Sequence, residues 1–316
     1  MEAHAIVSMF QRSEEHNVRY LNYIGDGDSK TYSGVLESKP YGNDFVVNKK
    51  ECVGHVQKRM GTRLRDLLKK TVVDTVTVTG KKIKRKTLGG KGKLTAKMID
   101  KLTVYYCLAI RRNYDSVKKM KNSIWATYYH YCSTDKKPQH EKCPTGEDSW
   151  CEWQKTTATN QIKSFKHTYA ALPNDVLEAI KPIYEELSKD ALLERCIGGF
   201  TQNNNESFNQ IIWKITPKIL SGTSNIVEIA AHIAVCIFNE GYFALLSILQ
   251  EMGVSTGSSA HAWASAADEL RITRADKKTA ESTKEGRIVR RQQQKDALDI
   301  LGDSASLYGP GIGDTM

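Results

Sequence analysis

Four groups of residues in this sequence could do chemistry, and each has an ordinary structural reading beside it. The stretch "QNNNESFNQIIW", residues 202 to 213, sets Glu206 among amides at the start of an amphipathic run. An acid there favours the positive end of a helix dipole. The same place suits a catalytic carboxylate. "YIGDGDSKTY" puts Asp26 and Asp28 directly after a run of strand-forming residues. Carboxylates at the carboxyl end of a strand stand where α/β folds bind ligands, and they can supply oxygens to a hard divalent cation such as Mg²⁺. Asp-Gly is equally ordinary turn chemistry. "ECVGHVQKR" sets Cys52 and His55 three apart, on one side of a helical turn. Two ligands do not complete a metal site, so a buried thiol and a helix-entry histidine is the reading of that pair taken alone.

The fourth group is His130, His140, Cys143 and Cys151 in "HYCSTDKKPQHEKCPTGEDSWC", a polar loop between helical stretches. Such a loop has little apolar material for a core, and a tetrahedral Zn²⁺ would hold it. The spacing from His140 to Cys143 suits one ligand pair, and Cys132 is a substitute for His130. The alternative is a loop with incidental free thiols. Phosphate contacts need mainly Lys and Arg. Lys81, Lys82, Lys84, Arg85 and Lys86 in "KKIKRKTLGGKGK" offer them, as do Arg290 and Arg291 in the tail "RITRADKKTAESTKEGRIVRRQQQK". Both runs also read as solvated surface, and "KKIKRK" as a nuclear import signal. Two matches fall away. "GGKGKLT" lacks phosphate-loop spacing, and Asn205-Glu206-Ser207 is a glycosylation acceptor that is idle without export.

The elements that must position these residues are mostly helical. Residues 3 to 14 have helical spacing, and "VRYLNYIG" reads as a strand over 18 to 24. A helix from Ser29 through Leu36, a second strand in "DFVVNKKECV" and the basic amphipathic helix "GHVQKRMGTRLRDLLKK" complete an α/β opening. "TVVDTVTVTG" reads as a short extended piece, and "KKIKRKTLGGKGK" as a mobile loop because charge and glycine dominate it. Helices are predicted for "KLTAKMIDKLTVYYCLAIRRN" and "VKKMKNSIWATYYHYC", and "PNDVLEAIKPIYEELSKDALLERC" returns to helix. "NIVEIAAHIAVCIFNEGYFALLSILQ" carries Glu228, His232 and Glu240, so it reads as a buried helix pair rather than a membrane span. Trp213 is expected in the core, and the segment after residue 250 is expected to be a basic, partly flexible tail.

Composition limits the function classes. With 316 residues, 40% hydrophobic and 26% charged, the chain is globular and large enough for a sizeable core. Its formal net charge of +10 points to a polyanionic partner, nucleic acid first. The first residues show no basic segment followed by an apolar core, so no secretory signal is read. Seven cysteines in such a chain suggest reduced thiols or metal ligands rather than a disulfide framework.

Taken in order, "YIGDGDSKTY", "KKECVGHVQKRMGTRLR", "CPTGEDSWC" and "TQNNNESFNQIIW" resemble the Mutator-like transposase family over roughly residues 1 to 250. The resemblance implies a ribonuclease H-like core with a large helical insertion, mostly helical overall within the α/β class. It implies an Asp–Asp–Glu set holding two Mg²⁺ or Mn²⁺ ions about 3.5–4 Å apart for in-line attack on a phosphodiester. By motif position Asp26 is the second aspartate, with Asp28 its rival, and Glu206 is the glutamate; Cys52 and His55 match the family's Cys-x-x-His motif. DNA is the implied partner, the nucleus the implied location, and a homo-oligomer the expected assembly. No aspartate precedes Asp26, so the first three core strands and first catalytic aspartate are expected to be missing. That reading makes the chain a DNA transposase or transposase-derived protein, truncated and with impaired catalysis; the alternatives are a non-enzymatic DNA-binding remnant and a zinc-stabilised interaction protein. It also leaves an unpaired strand edge that favours poor solubility or association. The expected layout is a partial core over 1–58, the insertion with its zinc loop over 59–195, closing helices with the glutamate over 196–250, and the tail over 251–316.

Overall fold

The computed structural model describes residues 2–25, 29–76, 82–219 and 222–283, with residues 286 and 289. Two compact units divide the chain, residues 1–204 and residues 205–316.

The first unit opens with α1 (Glu2–Gln11), β1 (Asn22–Gly25), α2 (Ser29–Ser38) and β2 (Asn48–Glu51). β1 and β2 are parallel and in register from Asn22 opposite Asn48 to Gly25 opposite Glu51, with α2 between them in sequence. Both strands are shorter than their sequence signals, because pairing starts only where Asn48 N–H donates to Leu21 O at 3.0 Å. Among the described residues β1 pairs with β2 alone. A small cluster of Phe10, Val35, Tyr41 and Val47 holds this part together. Its polar clasp is the Tyr41 hydroxyl, 2.8 Å from Ser13 Oγ and accepting Tyr20 N–H at 2.7 Å.

α3 (Val53–Lys70) follows, then β3 (Val72–Val76) and β4 (Lys82–Lys86), an antiparallel hairpin. The expected mobile loop at 81–93 is therefore corrected. Residues 82–86 form a strand, and the turn after it is anchored by Leu88 and Leu94, buried in the main core. The charge run hid this, because alternation of lysine with one isoleucine carries no apolar period.

α4 (Ala96–Arg111) and α5 (Val117–Cys132) begin at side-chain caps, where Thr95 and Ser116 hydroxyls accept the Met98 and Lys119 amides. α6 (Glu152–Ala158), α7 (Asn174–Leu187) and α8 (Asp190–Cys196) complete the unit. The helical stretch expected over 173–196 is built as α7 and α8, with a break at Ser188 and Lys189. The core is built from α3 (Val53, Val56, Met60, Leu64), α4 (Ile99, Leu102, Tyr106, Ile110), α5 (Met120, Ile124) and α7 (Val176, Ile180, Tyr184). These positions recur at three- and four-residue spacing, as an amphipathic helix face requires. Gly61 lets α3 and α4 approach closely, since a Cβ there would sit 3.1 Å from Thr103 Oγ1.

The second unit has four helices, the first of which starts at the end of the first unit: α9 (Asn203–Ile215), α10 (Ser224–Glu240), α11 (Phe243–Glu251) and α12 (Ser258–Ser282). Gly241 ends α10 with φ of 90°, which suits glycine. The next amide, Tyr242 N–H, donates to the Asp268 carboxylate at 2.9 Å. Within the expected tail, residues Ser258–Ser282 form the helix α12. The expected buried helix pair forms as α10 and α11 but is only partly buried. α10 buries Ala230, Ala234 and Ile237, but Ile226 and Ile229 are 50% and 59% exposed, and Trp213 is exposed rather than core. Amphipathic spacing identifies an apolar face without saying whether anything covers it. No helix among the described residues is long and apolar enough to cross a membrane.

Candidate metal centre and the end of the parallel strand pair

His130, His140, Cys143 and Cys151 are all buried and bring one ligand atom each within 4.8 Å of one another. Each is placed by a different piece of backbone. His130 lies in the last turn of α5, and Cys151 is the N-cap residue of α6. His140 and Cys143 sit on a turn closed by Cys143 N–H donating to His140 O at 3.0 Å. Cys143 Sγ is 3.8 Å from Nδ1 of His130 and 3.8 Å from Nδ1 of His140, and Cys151 Sγ is 3.4 Å from His140 Nδ1. A tetrahedral zinc with Zn–S near 2.3 Å and Zn–N near 2.1 Å requires S···N edges of about 3.6 Å. Three of the cluster's S···N distances, at 3.4 and twice 3.8 Å, lie close to that edge, and a thiolate–imidazole donor set suits zinc. These four residues could hold a metal ion such as zinc.

Aromatic rings fix the imidazoles. His130 stacks on Tyr169 at 4.7 Å and 26°, and His140 on Trp153 at 5.2 Å and 20°. Tyr169 O–H also donates to His130 O at 2.7 Å, and Gln154 Nε2 to His140 O at 2.7 Å. Burial, the largest influence, lowers the His130 pKa and so favours the neutral ring a metal needs. The two thiols are tightly coupled. Their mutual hydrogen bond lowers Cys151, which His130 and His140 also favour as thiolate, and raises Cys143, which burial raises further. A divalent cation would remove both protons. Cys132, the substitute ligand, lies outside the cluster; burial pushes its thiol up to about 11, partly offset by a hydrogen bond from Tyr128.

Sequence reasoning missed the residues behind His140. Its Nε2 is 2.8 Å from Ser133 Oγ and 2.9 Å from Nε2 of His167. Nδ1 of His167 is in turn 2.6 Å from Asp135 Oδ1, which also accepts the His167 backbone N–H at 2.9 Å. That backbone bond first, and the ring second, holds the Asp135 carboxyl below the usual range. His167 lies 27 residues beyond His140, too far for any spacing signal.

A second missed residue is Glu51, the last residue of β2. Its side chain is 3% exposed and paired with Arg59 at 2.7 Å and Arg195 at 3.2 Å. Cys52, next in sequence, is buried and donates its N–H to Gly25 O at 3.2 Å. His55 stands on the first turn of α3 with its Nδ1 buried and without a hydrogen-bond partner. With Lys58, Arg59, Thr62 and Arg63 it lines a cleft of about 330 Å³ along one face of α3. Cys52 and His55 are not part of a converging metal set; the quartet is the one such group among the described residues.

The strand pair's carboxyl end also receives the chain from far along the sequence. Val53 N–H donates to Phe200 O at 3.0 Å, and Gln202 Nε2 to Ile24 O at 3.0 Å. Asp26, Asp28, Lys81, Arg290 and Arg291 lie outside the described residues. Lys82, Lys84, Arg85 and Lys86 fall on β4. Glu206 occupies the first turn of α9, exposed, in the second unit.

The family model of Mutator-like transposases matches residues 1–151. No curated protein matches the chain, and no solved structure does. The match runs from the first helix to the last of the four metal-ligand candidates, and over those residues the chain is similar to Mutator-like transposases.

Proposed function

We propose that this chain acts on DNA as a transposase or a protein derived from one, with zinc holding its helical insertion. The family match carries the DNA reading. The β1–α2–β2 unit is read as part of a ribonuclease H-like core, with Asp26 (Asp28 its rival) and Glu206 as carboxylates for Mg²⁺ or Mn²⁺. One observation supports this: Asp26 directly follows Gly25, the last residue of β1. Two close divalent cations need several converging carboxylates to offset their charge and to activate the attacking oxygen. The basic cleft along α3, the lysines of β4 and the arginines of the tail suit phosphate contacts. A nuclear location agrees with such a substrate.

In the zinc reading the ion joins the end of α5, the 133–151 loop and the start of α6. All four positions are filled by protein, which is the mark of a structural rather than a catalytic centre.

Duplex DNA binding by the full chain, followed over a salt series, tests the DNA reading. Affinity should fall steeply as salt rises, because phosphate contacts release counterions, and Lys58→Glu with Arg63→Glu should weaken it. Absent or salt-insensitive binding contradicts the proposal. A strand-transfer assay with Mg²⁺ or Mn²⁺, comparing Glu206→Gln with the unaltered chain, separates enzyme from binding protein. Activity lost in Glu206→Gln supports the two-metal reading, and equal activity in both removes it.

A further inference from the structure

We infer that His167 and Asp135 are positioning residues of the metal centre: they form a hydrogen-bond relay behind His140 that fixes which of its nitrogens faces the ion. This rests on the zinc reading above.

A neutral imidazole carries one ring proton. His140 presents Nδ1 to Cys143 and Cys151, at 3.8 and 3.4 Å, and Nε2 to Ser133 and His167. An ion bound at Nδ1 needs the lone pair there, so the proton must sit on Nε2 and donate outward. His167 Nε2, at 2.9 Å, accepts that proton only if its own lies on Nδ1. Asp135 enforces this, because its Oδ1 is 2.6 Å from His167 Nδ1. The opposite tautomers would turn two lone pairs, on His167 Nδ1 and Asp135 Oδ1, toward each other. They would also leave a proton on His140 where the ion must bind. The chain of donors therefore runs one way, from His140 Nε2–H to His167 Nε2 and from His167 Nδ1–H to Asp135. Ser133 Oγ, which already accepts Gln139 N–H at 2.8 Å, offers the His140 proton a second acceptor on the same side.

The geometry is sheltered where it matters. The His167 side chain is 4% exposed, beside Phe165 at 5.1 Å and Tyr169 at 5.4 Å between ring centroids. Asp135, by contrast, is 59% exposed and held to His167 at two points. Hydrogen bonds from ligand histidines to outer groups commonly set ring orientation and ligand basicity, and their loss costs about 10–100-fold in metal affinity. The ligand quartet lies within residues 1–151 that match the family, whereas His167 lies beyond them.

The test is zinc affinity of the full chain, measured by competition with a chelator of known affinity. His167→Ala should bind about 10–100-fold more weakly. His167→Gln, whose amide oxygen can accept the His140 proton, should recover most of that loss. Asp135→Asn keeps an acceptor oxygen and should lose less than Asp135→Ala. Nitrogen-15 NMR of the unaltered zinc-loaded chain needs no variant to fold, and should find the His140 proton on Nε2 and the His167 proton on Nδ1. Unchanged affinity in both His167→Ala and His167→Gln, or a His140 proton on Nδ1, overturns the relay while leaving the zinc reading intact. Failure of the unaltered chain to bind zinc removes both.

Discussion

Replacing Cys143 with serine tests how much of the first unit's stability depends on the metal quartet. Cys143 Sγ is buried and 3.8 Å from both histidine nitrogens of the cluster. A serine hydroxyl keeps the shape but does not ionise to a zinc ligand near neutral pH, so one of four bonds is lost. The apolar cluster that contains the two thiols is small, Ala126 with Trp150 and Trp153 packed against it. With free zinc about a thousandfold above its dissociation constant, occupancy contributes about 4 kcal/mol by mass action. For a unit of 204 residues, each kcal/mol moves Tm by about 2–4 °C, so zinc should raise Tm by about 8–16 °C. The assay is a pair of thermal melts for each protein, one with zinc and one with chelator. The unaltered chain and Cys236→Ser, a cysteine outside the quartet, should show the full separation, and Cys143→Ser almost none. A zinc-dependent shift of the same size in Cys143→Ser, or none in the unaltered chain, refutes the reasoning.

Three further outcomes follow from the first unit. Glu51→Ala leaves Arg59 and Arg195 facing an empty site; because they are 29% and 38% exposed, the loss should be about 3 kcal/mol, the low end for breaking a buried pair. Urea unfolding measures it, and an unchanged midpoint contradicts it. Tyr106→Phe removes the hydroxyl that donates to Leu187 O at 2.8 Å, and should cost about 1–3 kcal/mol because a buried carbonyl is left unpaired; no loss in urea would show that water or another donor reaches it. The Cys196 thiol is pushed from 9.0 up to about 12, first by burial and then by the charge of Glu51. The folded form therefore keeps a proton that the unfolded chain releases, so this contribution is complete below pH 9 and is lost as pH rises toward 12. Between pH 9 and 11 the unaltered chain should lose about 1.4 kcal/mol more per pH unit than Cys196→Ala; parallel curves in urea unfolding against pH would contradict this.

The sequence disclosed what depends on local pattern. α3 was legible because Val53, Val56, Met60 and Leu64 repeat at helical spacing, and the metal quartet because Cys and His in a polar loop have few structural uses. The hairpin strand at 82–86 was not, since its lysines carry no apolar period. Glu51 was hidden for another reason: "KKECV" reads as polar surface, and one of its arginine partners is 144 residues away. Asp135 and His167 escaped notice because only the folded loop brings them behind His140. Trp213 was misplaced because helical spacing reveals an apolar stripe but not its cover.

X-ray absorption at the zinc edge, on the full chain purified without added metal and then loaded with one equivalent of zinc, is the most direct test of the metal centre. Two sulfurs at about 2.3 Å and two nitrogens at about 2.0–2.1 Å are expected. A first shell made of oxygens, or one lacking sulfur, would show that His130, His140, Cys143 and Cys151 do not bind the ion.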